Sequence, residues 1–303
     1  MPTYSEIRRQ ELKHIEQSLK DDRKMKRELA KVYNSSLEDI QRHIDADIQR
    51  FAHKEGVSMA EAKRIISKTD VEAFQSTAKR YAEEKNFTPK ANKELRRHNI
   101  TMRSNRLELI QARINLDIIA LALEEEQLTG QHIAQETIAE YERQAGILAM
   151  AAPAQVQLNT LATAAVLSSV AGATFSDRIW ANQIELRNEV NQAIERALIR
   201  GEHPRRSAAN IKRLIRDEYG NKQRAAERIL ITETARAQSI AAREAFNKAG
   251  VEHYTWISEP DACPVCAELD GKVFKLGANY NPMPPEPHPN CRCSISGHVP
   301  DEE

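Results

Sequence analysis

Aromatic residues are scarce in this chain. Phe, Tyr and Trp make up 5% of its 303 residues, whereas charged residues make up 29%. So small an aromatic store argues against a β-rich core and for helices whose outer faces carry charge. Excess charge of one sign is missing too, since 44 basic residues meet 44 acidic ones. The chain is no polycation, and any contact with nucleic acid has to come from a local patch. Long apolar runs are also lacking. Residues 144–176 carry no charge, but Pro153, Gln155, Gln157, Asn159, Thr160 and Thr163 interrupt them. A membrane-crossing helix needs about 20 predominantly apolar residues, so no span is expected. Glu6, Arg8 and Arg9 break the start before any apolar run, and no secretory signal is expected. Catalytic signatures are thin. His-Glu-x-x-His and the Gly-x4-Gly-Lys-Ser/Thr phosphate loop are absent. The Cys-x-x-Cys of this chain holds its proline inside the pair, where a deaminase carries it in front. The expectation is a protein that is not an enzyme.

What is present is helical periodicity. Leu12, Ile15 and Leu19, then Leu29, Val32, Leu37, Ile40, Ile44, Ile48 and Phe51, recur at helical spacing. The spacing drifts across Asp21-Asp22-Arg23-Lys24, which predicts a bend or break there. Ser58 with Glu61 and Thr69 with Glu72 read as capping boxes, and Thr88-Pro89 opens a further helix. That helix runs through Leu107, Ile110, Ile114, Ile118 and Leu121 to an expected break at Leu128-Thr129-Gly130. Beyond the uncharged stretch, Ser176 caps a helix through Ile184, Leu186, Val190, Ile194 and Leu198. Ser207 caps the next, which Gly220 is expected to end, and a last helix stops at Gly250. Val251 to Ser258 alternates like a strand and puts Tyr254 and Trp256 on one face. The fold class is therefore mainly α. A helical N-terminal region (1–143) and an uncharged Ala/Ser/Thr/Gln connector (144–175) precede a small α+β C-terminal domain (176–303) with a zinc-knuckle-like hairpin.

Between Lys79 and Arg113 the chain carries a net excess of six positive charges. Most such runs are solvated helix faces. The functional alternative is contact with phosphates or an acidic partner, through Lys79, Arg80, Lys90, Lys93, Arg96, Arg97, Arg103 and Arg106. Tyr81 and Phe87 fall in this run but do not alternate with the basic residues as a base-stacking platform would.

The most informative stretch is Asp261-Ala-Cys263-Pro-Val-Cys266, Leu269-Asp-Gly-Lys-Val-Phe274 and Pro284-Pro-Glu-Pro-His288-Pro-Asn-Cys291-Arg-Cys293. It holds all four cysteines, in pairs flanking a strand-like segment. Cys263 and Cys266 have the spacing that brings two thiolates to one ion, and His288 with Cys291 and Cys293 can complete a tetrahedral Cys3His set. A disulfide pair and a redox dithiol are the competing readings. Four cysteines are few for a disulfide framework in a chain of this size, and a redox pair leaves the second cluster and its histidine unexplained.

This ordered motif resembles the phage head morphogenesis family, the minor head proteins similar to the F protein of phage Mu. Phe175-Ser-Asp-Arg-Ile-Trp180 and the helix from Ile231-Thr232-Glu233-Thr-Ala-Arg236 to Gly250 extend the resemblance, although the family often has Arg where this chain has Ile231. The resemblance implies a minor capsid protein of a tailed bacteriophage. Such a protein sits in the virion near the portal, having passed through the host cytoplasm during assembly. It acts in head morphogenesis and in DNA packaging or ejection. The implied partners are the portal protein, with double-stranded DNA and capsid or scaffolding proteins as further ones. Carried onto this chain, it makes Cys263, Cys266, His288, Cys291 and Cys293 the candidate positions for a structural zinc ion, five for four places. No toxin-like domain is expected after the knuckle. The alternative is a zinc-knuckle DNA-binding protein or nuclease acting outside the particle.

Overall fold

The structure, a computed structural model, describes residues 3–52, 106–199, 204–277 and 281–298. The capping boxes expected at Ser58 and Thr69, the helix start at Thr88-Pro89 and the basic residues Lys79 to Arg103 lie outside these. The remaining basic candidate, Arg106, is the first residue of the second helix.

Among the described residues four long helices dominate: α1 (Tyr4–Ala52), α2 (Arg106–Ile147), α4 (Phe175–Ile199) and α5 (Pro204–Ala249). Between them lie α3 (Gln155–Leu167) and a two-residue antiparallel ribbon of β1 (Ser169–Val170) and β2 (Ala173–Thr174). At the C-terminal end, β3 (His253–Ile257), α6 (Pro264–Ala267), β4 (Val273–Lys275) and β5 (Ser294–Gly297) form a small α+β module. Its antiparallel sheet has the order β4-β3-β5. The expected fold class, mainly helical with a small strand-containing C-terminal region, is the one observed.

The helices run on where three breaks were expected. α1 continues through Asp21–Lys24 because Asp22 is buried and ion-paired with Arg292 of the module, so the apolar stripe yields there to a polar contact. α2 continues through Gly130, where a Cβ would lie 3.2 Å from the Phe175 ring. That glycine makes room for an aromatic neighbour instead of ending the helix. α5 passes Gly220 without interruption. One cap also moves by two residues. Thr174 and Asp177 bond each other's backbone N–H groups reciprocally, at 3.1 and 2.9 Å, so the cap of α4 is Thr174 and not Ser176. The expected stop at Gly250 holds. Its φ is +72°, and Val251 N–H donates to Phe246 O while Gly250 N–H donates to Asn247 O, the paired bonds of a Schellman end.

The chain forms two compact units that interleave along the sequence. One takes Leu29–Gln127 and Ile179–Ala226. Its core of Leu29, Ile40, Ile114, Leu121, Leu186 and Val190 is fully buried. Within it a polar knot centres on Tyr33. The Tyr33 hydroxyl donates to Glu125 at 2.9 Å, and Gln183 Nε2 donates to both, at 2.7 and 2.6 Å. Burial raises the Glu125 carboxyl to about 7.

The other unit takes Met1–Glu28, Leu128–Arg178 and Glu227–Glu303, and it holds the whole C-terminal module. Charged pairs inside it join the module to the first helix. Glu11, fully buried, accepts from both terminal nitrogens of Arg143 at 2.8 and 2.9 Å and from Ser294 Oγ at 2.6 Å. Asp270, in the turn before β4, accepts from Arg8 at 2.7 Å. The composition-based division at residues 143 and 175 follows the order of the chain, and we keep it as a proposal.

Among the described residues, no helix is long and apolar enough to cross a membrane. The uncharged stretch supplies α3, which buries Leu158, Ala162 and Ala165 and leaves Val156 and Leu167 largely exposed.

Candidate metal centre

The module is built on β3. Tyr254 and Trp256 are both buried on it, and Thr255 between them is buried as well. Trp256 packs in one cluster with Cys266, Cys291, Cys293, Phe246 and Ile295, so the indole lies against the cysteines. Its Nε1–H donates to Ser258 Oγ at 3.1 Å, and that hydroxyl donates to Cys266 O at 2.6 Å. The indole thus fixes the backbone that carries one of the sulfurs.

Each cysteine is placed by a local rule. Pro264 starts the single turn α6, where a missing N–H costs nothing. Cys263 caps that turn and Cys266 faces inward on it. Gly271 reverses the chain with φ +73° and donates to Trp256 O at 2.8 Å. Asp270 beside it accepts from Ser258 N–H at 2.8 Å, which closes the loop.

The second cluster then meets the first. His288 Nε2 lies 3.2 Å from Cys263 Sγ and 3.1 Å from Cys266 Sγ, and Cys266 Sγ lies 3.7 Å from Cys291 Sγ. Two triads of donors, Cys263-Cys266-His288 and Cys266-Cys291-Cys293, share Cys266. A tetrahedral zinc site with the usual bond lengths has edges of about 3.8 Å between sulfurs and about 3.6 Å between sulfur and nitrogen. The sulfur pair matches, and the sulfur–nitrogen edges need to open by about 0.4–0.5 Å. His288 Nδ1–H donates to Pro289 O at 2.8 Å, which leaves the Nε2 lone pair aimed at the sulfurs. An outward bond of this kind fixes the tautomer of metal-binding histidines. The donor set fits a thiophilic metal, and all five residues picked out from the sequence come together.

The competing readings fare worse. All four cysteines are free. The 3.7 Å between Cys266 and Cys291 is well beyond a sulfur–sulfur bond of about 2.05 Å. Burial pushes the Cys266 thiol up to about 12, opposite to the activated thiolate a redox dithiol requires. Cys293 is lowered to about 6, chiefly by its hydrogen bond with Cys291. A cation at this point would take up the buried thiolates that water does not reach.

Residues 188–296 match the family of Phage Mu protein F like proteins. No curated protein and no solved structure gives a significant match. The matched segment takes in the end of α4, all of α5 and the module as far as Ser296, with its five donors, so the resemblance read from the cysteine motif holds. It suggests a phage head morphogenesis protein.

Several residues of the Mu F-like region do more than the sequence reading assigned to them. Glu233 and Arg236 pair on α5, and Arg178, outside the matched segment, pairs with the same buried carboxylate. Arg178 also donates to Val170 O at 2.8 Å, and Arg236 donates to Ser168 Oγ at 2.7 Å. Arg292, which separates the last two cysteines, is buried against Asp22 and Gln238. No periodicity marks these pairs. The only signal was a charged residue inside an otherwise apolar stripe.

Proposed function

We propose that the protein is a minor head protein of a tailed bacteriophage, bound to the portal inside the head and acting in head morphogenesis and DNA packaging or ejection. The observation that carries this reading is the family match over residues 188–296, which embraces the ordered cysteine motif. In this reading the protein enters the particle as a structural part, assembled from the host cytoplasm. Portal, capsid or scaffolding proteins and the packaged DNA are its neighbours. The helical region up to residue 143 acts as the arm that reaches the portal or the DNA, and Lys79 to Arg106 supply its phosphate contacts.

Zinc is the metal proposed for the module, held by Cys263, Cys266, His288 and Cys291, which are linked in series by the short contacts described above. Cys293 stands beside them as the fifth donor. Bound there, zinc would tie the α6 turn to the loop that carries His288 and Cys291. The role is stabilisation.

The test is co-expression with the portal protein of the same phage. Co-elution in a stable complex supports the reading. No complex at any salt concentration opposes it and moves the weight to a DNA-binding protein acting outside the particle. Deleting residues 1–143 is a poor way to map the contact, because it strips the module of Glu11, Asp22 and Arg143. Charge reversal at exposed positions of the arm leaves those buried pairs in place.

A further inference from the structure

A recess of about 720 Å³ opens beside the metal centre, between the face of α5 from Arg228 to Arg243, the end of α3 with β1, and the loop at residues 283–289. Its volume falls in the range of sites that take ligands or short segments of another chain. Four arginines line it, Arg178, Arg228, Arg236 and Arg243, against the two carboxylates of Glu233 and Glu286.

The inner charges do not balance. Glu233 is 4% exposed, and its one carboxylate serves both Arg178 and Arg236. One positive charge is therefore left over in a partly buried setting. Consistent with that surplus, burial and the neighbouring Arg178 lower Arg236 to about 10. At the mouth, Arg228 and Arg243 are exposed and make no ion pair among the described residues. Between the charges the wall is apolar, formed by Val170, Ile229, Ile240, Met283 and the Pro284-Pro285 pair. Val170 at its edge is exposed and belongs to the uncharged stretch, whose helix also exposes Val156 and Leu167.

We propose that this recess seats an acidic, partly apolar segment of a partner protein, its carboxylates paired with the four arginines and its apolar side chains against Val170, Ile240 and Met283. Guanidinium groups pair with carboxylates through two parallel hydrogen bonds, which gives orientation as well as affinity. Duplex DNA fits less well. Phosphates would have to approach apolar walls and the exposed Glu286, with no Phe, Tyr or Trp in the recess to stack on bases and its His288 ring engaged with Cys263 and Cys266. The proposal gives a chemistry to the partner in the assembly reading and rests on that reading for its biological setting.

The test needs no particle. Fluorescein-labelled nonapeptides alternating Glu with Leu or Val are titrated into the full-length, zinc-loaded protein, beside counterparts with Gln for every Glu. The acidic peptides should bind, and the Gln peptides should bind at least about tenfold more weakly. The exposed pair Arg228→Glu/Arg243→Glu should weaken acidic-peptide binding by at least about tenfold with an unchanged circular dichroism spectrum. Arg236→Gln gives a second reading from the inner wall. Absence of binding, equal binding of both peptide sets, or indifference to the charge reversals overturns the proposal. Displacement of the peptide by a lower concentration of a 20-base-pair duplex overturns it in favour of nucleic acid. Displacement by inorganic phosphate at the peptide's own concentration overturns it in favour of a small anion. A peptide that binds while the portal protein does not would spare this site and reject the particle reading, and the converse result would do the opposite.

Discussion

Asp22→Ala is the change whose effect the structure defines most closely. Asp22 and Arg292 have side chains 8% and 4% exposed, and Arg292 Nε donates to Asp22 at 2.7 Å. Removing the carboxylate leaves the guanidinium buried with Gln238, at 3.0 Å, as its remaining polar partner. Losing one member of a buried pair costs about 3–5 kcal/mol. Alanine is the better helix former by a few tenths of a kcal/mol, so a loss cannot come from the helix. For a unit of this size the cost corresponds to about 6–20 °C in Tm. Urea unfolding followed by circular dichroism and tryptophan fluorescence reads it, since Trp256 lies in the cluster formed by the cysteines on either side of Arg292. Asp22→Leu with Arg292→Met should recover most of the loss, because an apolar pair of similar volume carries no desolvation cost. A cost below about 1 kcal/mol for Asp22→Ala, or a double variant no better than the single one, would refute this account of how α1 holds the module.

Three further outcomes follow from other parts of the molecule. Cys266 belongs to both donor triads, so Cys266→Ser should abolish metal binding in a chelator competition assay, whereas Cys293→Ser should retain one zinc per chain. The reverse pattern would reassign the ligands. Affinity for zinc should rise with pH by up to about tenfold per unit for each thiol proton displaced. Glu125 stays protonated in the folded state to about 7, against 4.5 as the ordinary value. Between those pH values the folded state holds the extra proton, so this group makes stability fall as pH rises, by on the order of 3 kcal/mol in all. His14 and His132, kept neutral to about 4 chiefly by burial, act in the opposite sense. The unfolded chain protonates them below 6.5, so their contribution rises with pH from about 4 to 6.5. Glu125→Gln removes only the first effect. Its stability relative to the parent should grow from pH 4.5 to 7 and level off above, and parallel urea midpoints from pH 5 to 8 would sink this reading. Gly130→Ala should change stability by under about 1 kcal/mol, since helix propensity offsets the 3.2 Å approach to Phe175. Gly130→Leu should lose about 1–3 kcal/mol by overpacking, and equal thermal midpoints for the two variants would show that the Phe175 contact is not tight.

The helices and the cysteine–histidine cluster were legible because they rest on local rules. Periodic apolar residues announce a helix face, and Cys-x-x-Cys, Asp-Gly and His-x-x-Cys each describe a few consecutive residues. The breaks expected at Asp21–Lys24 and Gly130 failed because a glycine or a charged run weakens a helix only where nothing distant compensates. Arg292 compensates at Asp22, and the Phe175 ring fills the space at Gly130. The cap of α4 shifted to Thr174 because the β1–β2 ribbon fixes where the helix begins. Glu11–Arg143 and Asp22–Arg292 join residues more than a hundred positions apart, and no spacing rule reaches that far. The arginine recess was half visible. Glu233 and Arg236 lie three residues apart on one helix, a spacing at which side chains meet, but Arg178 joins them from a segment 55 positions away.

The most direct measurement of the central claim is quantitative mass spectrometry of phage particles purified from cells that express this chain from its native locus. The account predicts the chain in DNA-filled heads, in fixed proportion to the portal protein and surviving a wash in high salt. Abundance in the lysate with absence from the particles would contradict it.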